Sequence, residues 1–354
     1  MIPYLLTFLA AAVLTIILTP LAIYCAKKWG IIDYPGERRI HKKPLPRFGG
    51  AAIYVAFWIA VFLNTEISRI VAGFFLGSSL IFVVGIVDDL KGMRPLYKLL
   101  WQIVAASIPL FFGLSVTHMQ LPIIGDVSLV GSIPLVIIGY LFVIVWIVGL
   151  VNAVNISDGL DGLAGGVCFI ASLILFWSAI RIGSVQASYL MLALAGATLG
   201  FLVFNFNPAK IIMGDSGSMF LGFMLGVVSI WGLVKTATVL GLVFPLLVLG
   251  MPIIDMLFAI IRRRWNGLSI AKADRGHLHH RLLDIGLTQR QAVFVLYIIS
   301  VCFGLAAVIS NYGLWYISLI IVILNLVIIL RIVFRKFTIQ KIFWKKKFYE
   351  KNRG

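Results

Sequence analysis

The chain has 354 residues, of which 61% are hydrophobic, and it carries a formal net charge of +17. Because a soluble domain is usually about 45–50% apolar, this composition excludes an ordinary soluble protein and predicts an all-α polytopic membrane protein. The basic residues lie mostly in alternate gaps between long apolar runs. That distribution is the positive-inside pattern of membrane proteins, and it argues against a nucleic-acid-binding surface.

Apolar runs of about 17–25 residues, the length that crosses a bilayer as a helix, recur along the whole chain. The segment between the fourth and fifth runs contains Pro122, Gly125 and Gly131 and predicts a short hairpin. We expect residues 1–335 to form one integral-membrane domain and residues 336–354 a basic tail. The eleven predicted spans lie at 3–25, 48–65, 70–87, 96–114, 133–151, 163–181, 186–204, 216–233, 238–261, 290–309 and 312–334.

The charges also predict an orientation. With the N-terminus outside, every Lys and Arg except Arg69, Arg181 and Lys235 lies in or beside a gap that faces the cytoplasm. The C-terminus is then cytoplasmic, and the polar motifs described next lie on the cytoplasmic side.

The first cytoplasmic gap is basic and contains prolines and glycines that restrict its backbone. As a topology signal these charges need no further function. We nevertheless predict that His41 and Arg47 bind the phosphate of an amphiphilic ligand that enters from the bilayer.

The third span ends at two adjacent aspartates, Asp88 and Asp89. Neighbouring carboxylates repel each other, and at a helix C-terminus they also oppose the helix dipole, so ordinary capping does not explain them. The alternative is a solvated helix end paired with Lys91 and Arg94. We predict a catalytic role, with a metal ion, a cationic cluster or proton transfer as the compensating chemistry.

The gap after the fifth span places Asn152, Asn155, Asp158 and Asp161 at a constant step of three, with a glycine after each aspartate. Hydrocarbon cannot solvate carboxylates, so such a cluster at the membrane edge indicates function. On a helix, a step of three would spread these side chains over a broad stripe. A turn rich in Asn, Asp and Gly is the alternative.

A Gly-Asp-Ser-Gly-Ser sequence stands directly before the eighth span, with Lys210 a few residues earlier. The start of a helix offers backbone N–H groups to an anion. We predict that Asp215 in this sequence is a metal ligand; the alternative is a simple helix N-cap.

A cluster of histidines follows the ninth span and comprises His277, His279 and His280, with Arg275 and Arg281 on either side. Imidazoles at this spacing could bind zinc, but no thiolate lies near and the flanking arginines favour phosphate binding. A basic loop that contains histidines by chance is the alternative.

Aspartates for a divalent cation and basic residues for phosphates are the groups that phosphoryl transfer requires. Their position at the membrane edge predicts a lipid as one substrate. The alternative function, an ion-coupled transporter, would need polar groups on both faces of the membrane. The clear acidic residue in the middle of a predicted span is Asp255. We expect Pro252 to break the ninth span and turn Asp255 towards the site.

The chain resembles the polyprenyl-phosphate N-acetylhexosamine-1-phosphate transferases, which include the phospho-MurNAc-pentapeptide translocases. The pentapeptide translocases carry three consecutive histidines, whereas this chain has His-Leu-His-His-Arg. It therefore looks like the branch that transfers GlcNAc-1-phosphate from UDP-GlcNAc to undecaprenyl phosphate, with the pentapeptide translocase as the alternative. The motifs that carry the resemblance are Val87-Asp88-Asp89, Asn152–Ala164, Met213–Ser218 and His277–Arg281.

The resemblance implies a multi-pass enzyme of the bacterial cytoplasmic membrane with eleven spans and a cytoplasmic site. It implies dependence on Mg²⁺, with Mn²⁺ as a substitute, and the first membrane step of a surface glycan such as teichoic acid or O-antigen. The expected partners are UDP-GlcNAc, undecaprenyl phosphate and membrane lipid; a homodimer stays open.

The resemblance also implies roles for residues. Asp215 would be the principal Mg²⁺ ligand and Asn155 a second, while Asp88 deprotonates or positions the lipid phosphate. Asp89, Asp158 and Asp161 would position metal, uridine or sugar. Direct attack and a route through a phosphorylated aspartate both remain open. The residues expected to bind substrate are His41, Arg47, Asn152, Lys210, Arg275, His277, His279, His280 and Arg281.

Overall fold

The structure is a computed structural model that describes residues 2–35, 43–116, 118–121, 125–129, 131–233, 243–267 and 276–351. For 118–121, 125–128 and 335–351 it describes the backbone alone. Within these ranges the chain is mostly helical, and seven helices are long and apolar enough to cross a membrane. The protein is therefore a polytopic membrane protein; the number of eleven spans and the orientation stay predictions.

The described helices follow most of the predicted spans closely. They are α1 (Ile2–Trp29), α2 (Gly49–Asn64), α3 (Arg69–Lys91), α4 (Pro95–Phe111), α5 (Ile133–Ser157), α6 (Leu163–Arg181), α7 (Val185–Asn205), α8 (Gly214–Leu233), α9 (Val243–Val248), α10 (Gly250–Trp265), α11 (Leu278–Asp284), α12 (Gln289–Ser310) and α13 (Trp315–Lys351).

The ninth predicted span is broken, as expected. The break lies at Leu249, between α9 and α10, and Pro252 lies inside the first turn of α10. Proline is tolerated in a first turn because the N–H that it lacks has no partner within the helix there. Downstream, α11 is a short helix that hydropathy did not predict, since it is too short to span a bilayer.

Two helices run further than their apolar segments. α3 continues through Asp88 and Asp89 and ends at Gly92, which has a φ of 67°. α5 continues past Asn152 and Asn155 and ends at Asp158. The polar residues of both motifs thus begin on regular helix, which fixes their direction.

The described part of the chain also contains two small hairpins. β1 (Ile32–Asp33) pairs antiparallel with β2 (Leu45–Pro46), and the following residue, Arg47, forms a parallel bridge with Ile212. β3 (His118–Leu121) pairs antiparallel with β4 (Gly125–Ser128), which confirms the hairpin predicted between the fourth and fifth spans.

The C-terminal helices form a second packing group. Leu278 and Leu282 of α11 are buried against Leu296 and Phe303 of α12, together with Ile329 of α13. α13 continues as helix beyond residue 335, so its backbone shows no break where the tail was predicted to begin. The tail as a separate unit stays a prediction.

Glycines allow α8 to begin in direct contact with two other helices. A Cβ on Gly85 of α3 would lie 2.4 Å from the Ser216 Cα, and a Cβ on Gly50 of α2 would lie 2.2 Å from the Gly217 backbone N. No side chain fits at either position without moving a backbone. The start of α8 is therefore enclosed at the end of the bundle where α3 and α5 finish.

Replacing Gly85 with alanine should destabilise the protein. Although alanine favours helix by about 1 kcal/mol over glycine, overpacking here should cost about 1–3 kcal/mol and lower the Tm of the protein in nanodiscs. Gly149→Ala on α5 is the matched control, because a Cβ there meets nothing within 4 Å. Equal or higher Tm values for both variants would contradict the close contact.

Candidate functional site

A cavity of about 250 Å³ lies at the end of the bundle where α3 and α5 finish and α6 and α8 begin. Most of its lining side chains are polar or charged, so it suits a charged ligand better than an apolar one. The residues that line it are Asp33, Arg47, Asn155, Asp158, Gly159, Leu160, Asp161, Asn205, Ile212, Gly214, Asp215, His280 and Gln289.

Asp89 is fully engaged in holding α8. Its Oδ1 accepts a hydrogen bond from the backbone N of Asp215 at 2.8 Å, and its Oδ2 accepts from the backbone N and the hydroxyl of Ser216 at 3.0 and 2.8 Å. The Nε of Arg47 lies 2.9 Å from Oδ1, and the Asp89 side chain is 1% exposed. A carboxylate at a helix N-terminus is stabilised by the dipole and by the free N–H groups. Asp89 therefore positions Asp215, and its contact with metal or substrate stays a prediction.

Asp88 points away from Asp89 and towards α4. Its Oδ1 accepts from the backbone N of Met93 at 2.6 Å, and its Oδ2 lies 2.8 Å from the Nζ of Lys98. The same Nζ also pairs with Oδ2 of Asp215. Lys98 thus links the end of α3 to the start of α8.

Arg47 provides the second cation of the site. Its Nη2 lies 3.1 Å from Oδ1 of Asp215, and its Nη1 lies 3.8 Å from Asp33. The β1–β2 hairpin and the bridge to Ile212 hold it in this place. The structure therefore brings the predicted phosphate-binding Arg47 to the cavity, where it neutralises carboxylates.

The two asparagines of α5 have different surroundings. Asn155 donates to Oδ1 of Asp215 at 3.1 Å and to the hydroxyl of Ser218 at 2.8 Å. Asn152 lies one turn earlier and donates to Oε1 of Gln102 at 2.7 Å. Asn155 lines the cavity, whereas Asn152 joins α5 to α4 and is not among the lining residues.

The aspartates of the α5–α6 turn also differ. Asp161 accepts from Nδ2 of Asn207 at 2.9 Å and from the backbone N of Ala209 at 3.1 Å. Asp158 lines the cavity, and within the described part of the chain its carboxylate accepts no hydrogen bond. Burial, together with the charges of Asp215 and Asp89, raises the pKa of Asp158 to about 7, against the opposing charge of Arg47.

The three histidines do not face the cavity together. His280 lines it, but His277 pairs its Nδ1 with Asp255 at 3.2 Å. His279 is 2% exposed and lies against Gly159, where a Cβ would come within 2.4 Å of its Nε2. Burial lowers the pKa of His279 to about 3, so it is a neutral packing group and is poorly suited to the phosphate binding predicted for it.

Other predicted substrate-binding residues lie away from the cavity or outside the described ranges. Arg281 donates to the backbone O of Gly276 at 2.9 Å and to the backbone O of Val333, which ties α11 to α13. Lys210 is exposed and does not line the cavity. His41 and Arg275 lie outside the described residues. Asp255, expected to turn towards the site, instead accepts from the backbone N of Leu278 at 2.8 Å and fixes the start of α11.

Sequence reasoning missed several groups that build the site. Lys98 lies in the first turn of an apolar helix and was counted only as a topology signal. Asn207 bridges Asp161 and Gln289, with its Nδ2 2.7 Å from the Gln289 Oε1. Asn205 accepts from the backbone N of Gly162 at 2.9 Å. Both asparagines lie in the polar gap that precedes the Gly-Asp-Ser-Gly-Ser sequence, and this position could have identified them as site residues.

Chemically, the site combines carboxylates with two cations and an amide at one end of a membrane bundle. No group of three or more His, Cys, Asp or Glu side chains in the described residues is arranged as a metal site. Mg²⁺, however, is usually bound through one or two carboxylates plus substrate phosphates. The oxygen groups of Asp215, Asp158 and Asn155 at the cavity fit that requirement.

Comparison with known proteins gives a consistent result. Residues 71–233 match the family described as glycosyl transferase family 4. The Bacillus subtilis (strain 168) protein named probable undecaprenyl-phosphate N-acetylglucosaminyl 1-phosphate transferase is 36% identical to this chain, over 94% of this chain and 92% of that protein. The decaprenyl-phosphate N-acetylglucosaminephosphotransferase of Mycolicibacterium smegmatis is also 36% identical, over 82% and 78%.

A third relative represents the alternative branch. The phospho-N-acetylmuramoyl-pentapeptide-transferase of Staphylococcus carnosus is 30% identical, over 86% of this chain and 96% of that protein. The resemblance drawn from the motifs is confirmed, and the chain belongs to glycosyl transferase family 4 as a multi-pass membrane enzyme of its polyprenyl-phosphate phosphotransferases.

Proposed function

We propose that this protein transfers GlcNAc-1-phosphate from UDP-GlcNAc to undecaprenyl phosphate and releases UMP. One observation carries the proposal: Asp88, Asn155 and Asp215 meet around Lys98 beside a polar cavity at one end of the bundle. Such an arrangement of acids and bases suits a diphosphate and a cation. The relatives named for N-acetylglucosamine transfer, at 36% identity, favour this donor over the pentapeptide donor of the 30% relative.

In the proposed reaction, an oxygen of the lipid phosphate attacks the phosphorus that carries the sugar. The bond from this phosphorus to the bridging oxygen breaks, and UMP leaves with that oxygen. Undecaprenyl-diphospho-GlcNAc is the other product, and no water is consumed. This direct route needs no covalent enzyme intermediate, and the acceptor phosphate needs to lie in line with the leaving group.

The chain's residues would share the work as follows. Asp215 and Asn155 would hold Mg²⁺, which when bound neutralises the diphosphate charge. Asp88 would orient the lipid phosphate and accept its proton. Asp158 has a carboxylate open to the cavity, which supports a contact with the donor or the cation, whereas the hydrogen bonds of Asp161 support a positioning role.

The proposed site faces the cytoplasm, because the basic residues of the chain concentrate in the gaps on the same side as the motifs. UDP-sugars are cytosolic, polar donors, while the acceptor is held in the membrane. A site at the edge of the bundle is accessible to both. The product would begin a bacterial surface glycan.

UMP release is the direct measurement. Purified protein in nanodiscs should release UMP from UDP-GlcNAc only when both polyprenyl phosphate and Mg²⁺ are present, and Asp215→Asn should lower kcat at least about 100-fold, as expected for loss of a principal metal ligand. Glu66→Gln is the control and should leave kcat unchanged. Glu66 is exposed and lies just before the start of α3, whereas the site lies at the end of that helix. A labelled phospho-enzyme formed from UDP-GlcNAc alone would exclude the direct route, and flux of a solute without UMP release would favour a transporter.

Donor choice separates the two branches of the family. With undecaprenyl phosphate as acceptor, UDP-GlcNAc should give a kcat/KM at least about tenfold above that of UDP-MurNAc-pentapeptide, a difference of about 1.4 kcal/mol in transition-state binding. The two donors should be compared on one preparation with UMP as the common readout. Faster release from the pentapeptide donor would assign the protein to the other branch.

Asp158→Asn should remove activity and yet stabilise the protein at high pH. The pKa of Asp158 is raised to about 7 in the folded state, so the folded protein binds a proton that the unfolded chain releases near pH 4. Stability from this group is fully present below about pH 4 and is lost as pH rises from there through about 7. The variant should therefore have a Tm a few degrees above wild type at pH 8, and this difference should shrink towards zero near pH 4. A lower Tm at pH 8 would contradict the raised pKa.

A further inference from the structure

The ammonium of Lys98 is bound by oxygens from three helices. Its Nζ lies 2.8 Å from Oδ2 of Asp88 on α3 and 3.4 Å from Oδ1 of Asn155 on α5, and it pairs with Oδ2 of Asp215 on α8. The Lys98 side chain is 15% exposed. The positive charge of Lys98 thus holds together side-chain oxygens that come from three separate sequence motifs.

Asp215 and Asn155 are also the groups assigned above to a divalent cation. An ammonium and a divalent cation repel each other strongly at contact distance, so both cannot bind the same oxygens. We propose that Lys98 is an internal competitor of the divalent cation, which holds Asp88, Asn155 and Asp215 together and leaves them when the cation binds. This inference rests on the proposed function, which supplies the cation and the phosphates.

Lysine is suited to such an exchange, and Arg47 is not. Lysine carries a compact charge on a flexible stem of four carbons, and Lys98 stands in the first turn of α4. The guanidinium of Arg47 is held by Asp33, Asp89 and Asp215 together, next to a backbone bridge. Arg47 is therefore held in place by its surroundings, whereas the flexible stem of Lys98 allows its ammonium to exchange these oxygens for other partners.

The exchange links cation binding to phosphate binding. Once released, the ammonium of Lys98 pairs with a phosphate oxygen of a substrate, as lysines commonly do at phosphate sites. Oδ2 of Asp88 loses its cationic partner at the same time, which frees it to accept a hydrogen bond from the lipid phosphate. Lys98 is then a substrate-binding residue whose availability depends on the divalent cation.

Amine labelling tests the movement directly. Full-length wild-type protein in nanodiscs is treated with an acetylating reagent, with and without Mg²⁺, and modification of each lysine is measured by mass spectrometry. We expect Mg²⁺ to raise labelling of Lys98 several-fold and to leave the exposed Lys91 at the end of α3 unchanged. Unchanged or reduced labelling of Lys98 would overturn the proposal.

A binding measurement gives a second readout that does not depend on turnover. Lys98→Met should bind Mn²⁺ about tenfold more tightly than wild type, since a competitor is removed, whereas Lys91→Met should bind as wild type does. The Kd is measured by electron paramagnetic resonance, and thermal melting verifies that each variant is folded. Weaker or unchanged Mn²⁺ binding by folded Lys98→Met would count against the exchange.

These results separate the inference from the proposed function. If Mg²⁺ exposes Lys98 but wild type releases no UMP, the cation exchange stands and the transferase assignment fails. If wild type releases UMP and Lys98 labelling does not respond to Mg²⁺, the transferase assignment stands and the exchange is wrong.

Discussion

The contact between Asp89 and the start of α8 is the interaction on which the site depends. One nearly inaccessible carboxylate accepts hydrogen bonds from two backbone N–H groups and a hydroxyl of α8, and it also pairs with Arg47. A buried carboxylate is tolerated only when its charge and its acceptor positions are satisfied. Here the groups that satisfy Asp89 belong to α8 and the β2 strand end, so the requirements of one side chain fix the direction in which Asp215 points.

Two other acids of the site differ in whether protein groups donate hydrogen bonds to their carboxylates. Asp161 is bound to the 205–209 segment, while Asp158 opens to the cavity with a raised pKa. Hydrogen bonds to the charged form stabilise it, and burial without them destabilises it. Chemically identical residues in one short motif therefore have separate tasks, one in holding the turn and the other in facing ligand. A buried carboxylate with a raised pKa, such as that of Asp158, is expected at a functional site.

Much of the fold followed from hydropathy, because helices that cross a bilayer need continuous apolar sequence. The ends of helices did not, since α3 and α5 extend into polar residues whose backbone bonds hydropathy does not measure. The motifs identified Asp88, Asn155 and Asp215 as members of one site, but not their partners. Lys98 resembled an ordinary membrane-edge lysine, and only its three-dimensional neighbours show otherwise. His279 and His280 are adjacent in sequence, yet burial separates them, and burial depends on Gly159 in a distant segment.

The cavity lining has a consequence for how the protein is made. Its residues extend from Asp33 in β1 to Gln289 at the start of α12, so the first of them is translated long before the last. A ribosome-bound chain that has inserted only its first eight spans already contains Asp88, Asn155 and Asp215, but lacks His280 and Gln289. Nascent protein therefore carries an incomplete binding wall until α12 arrives.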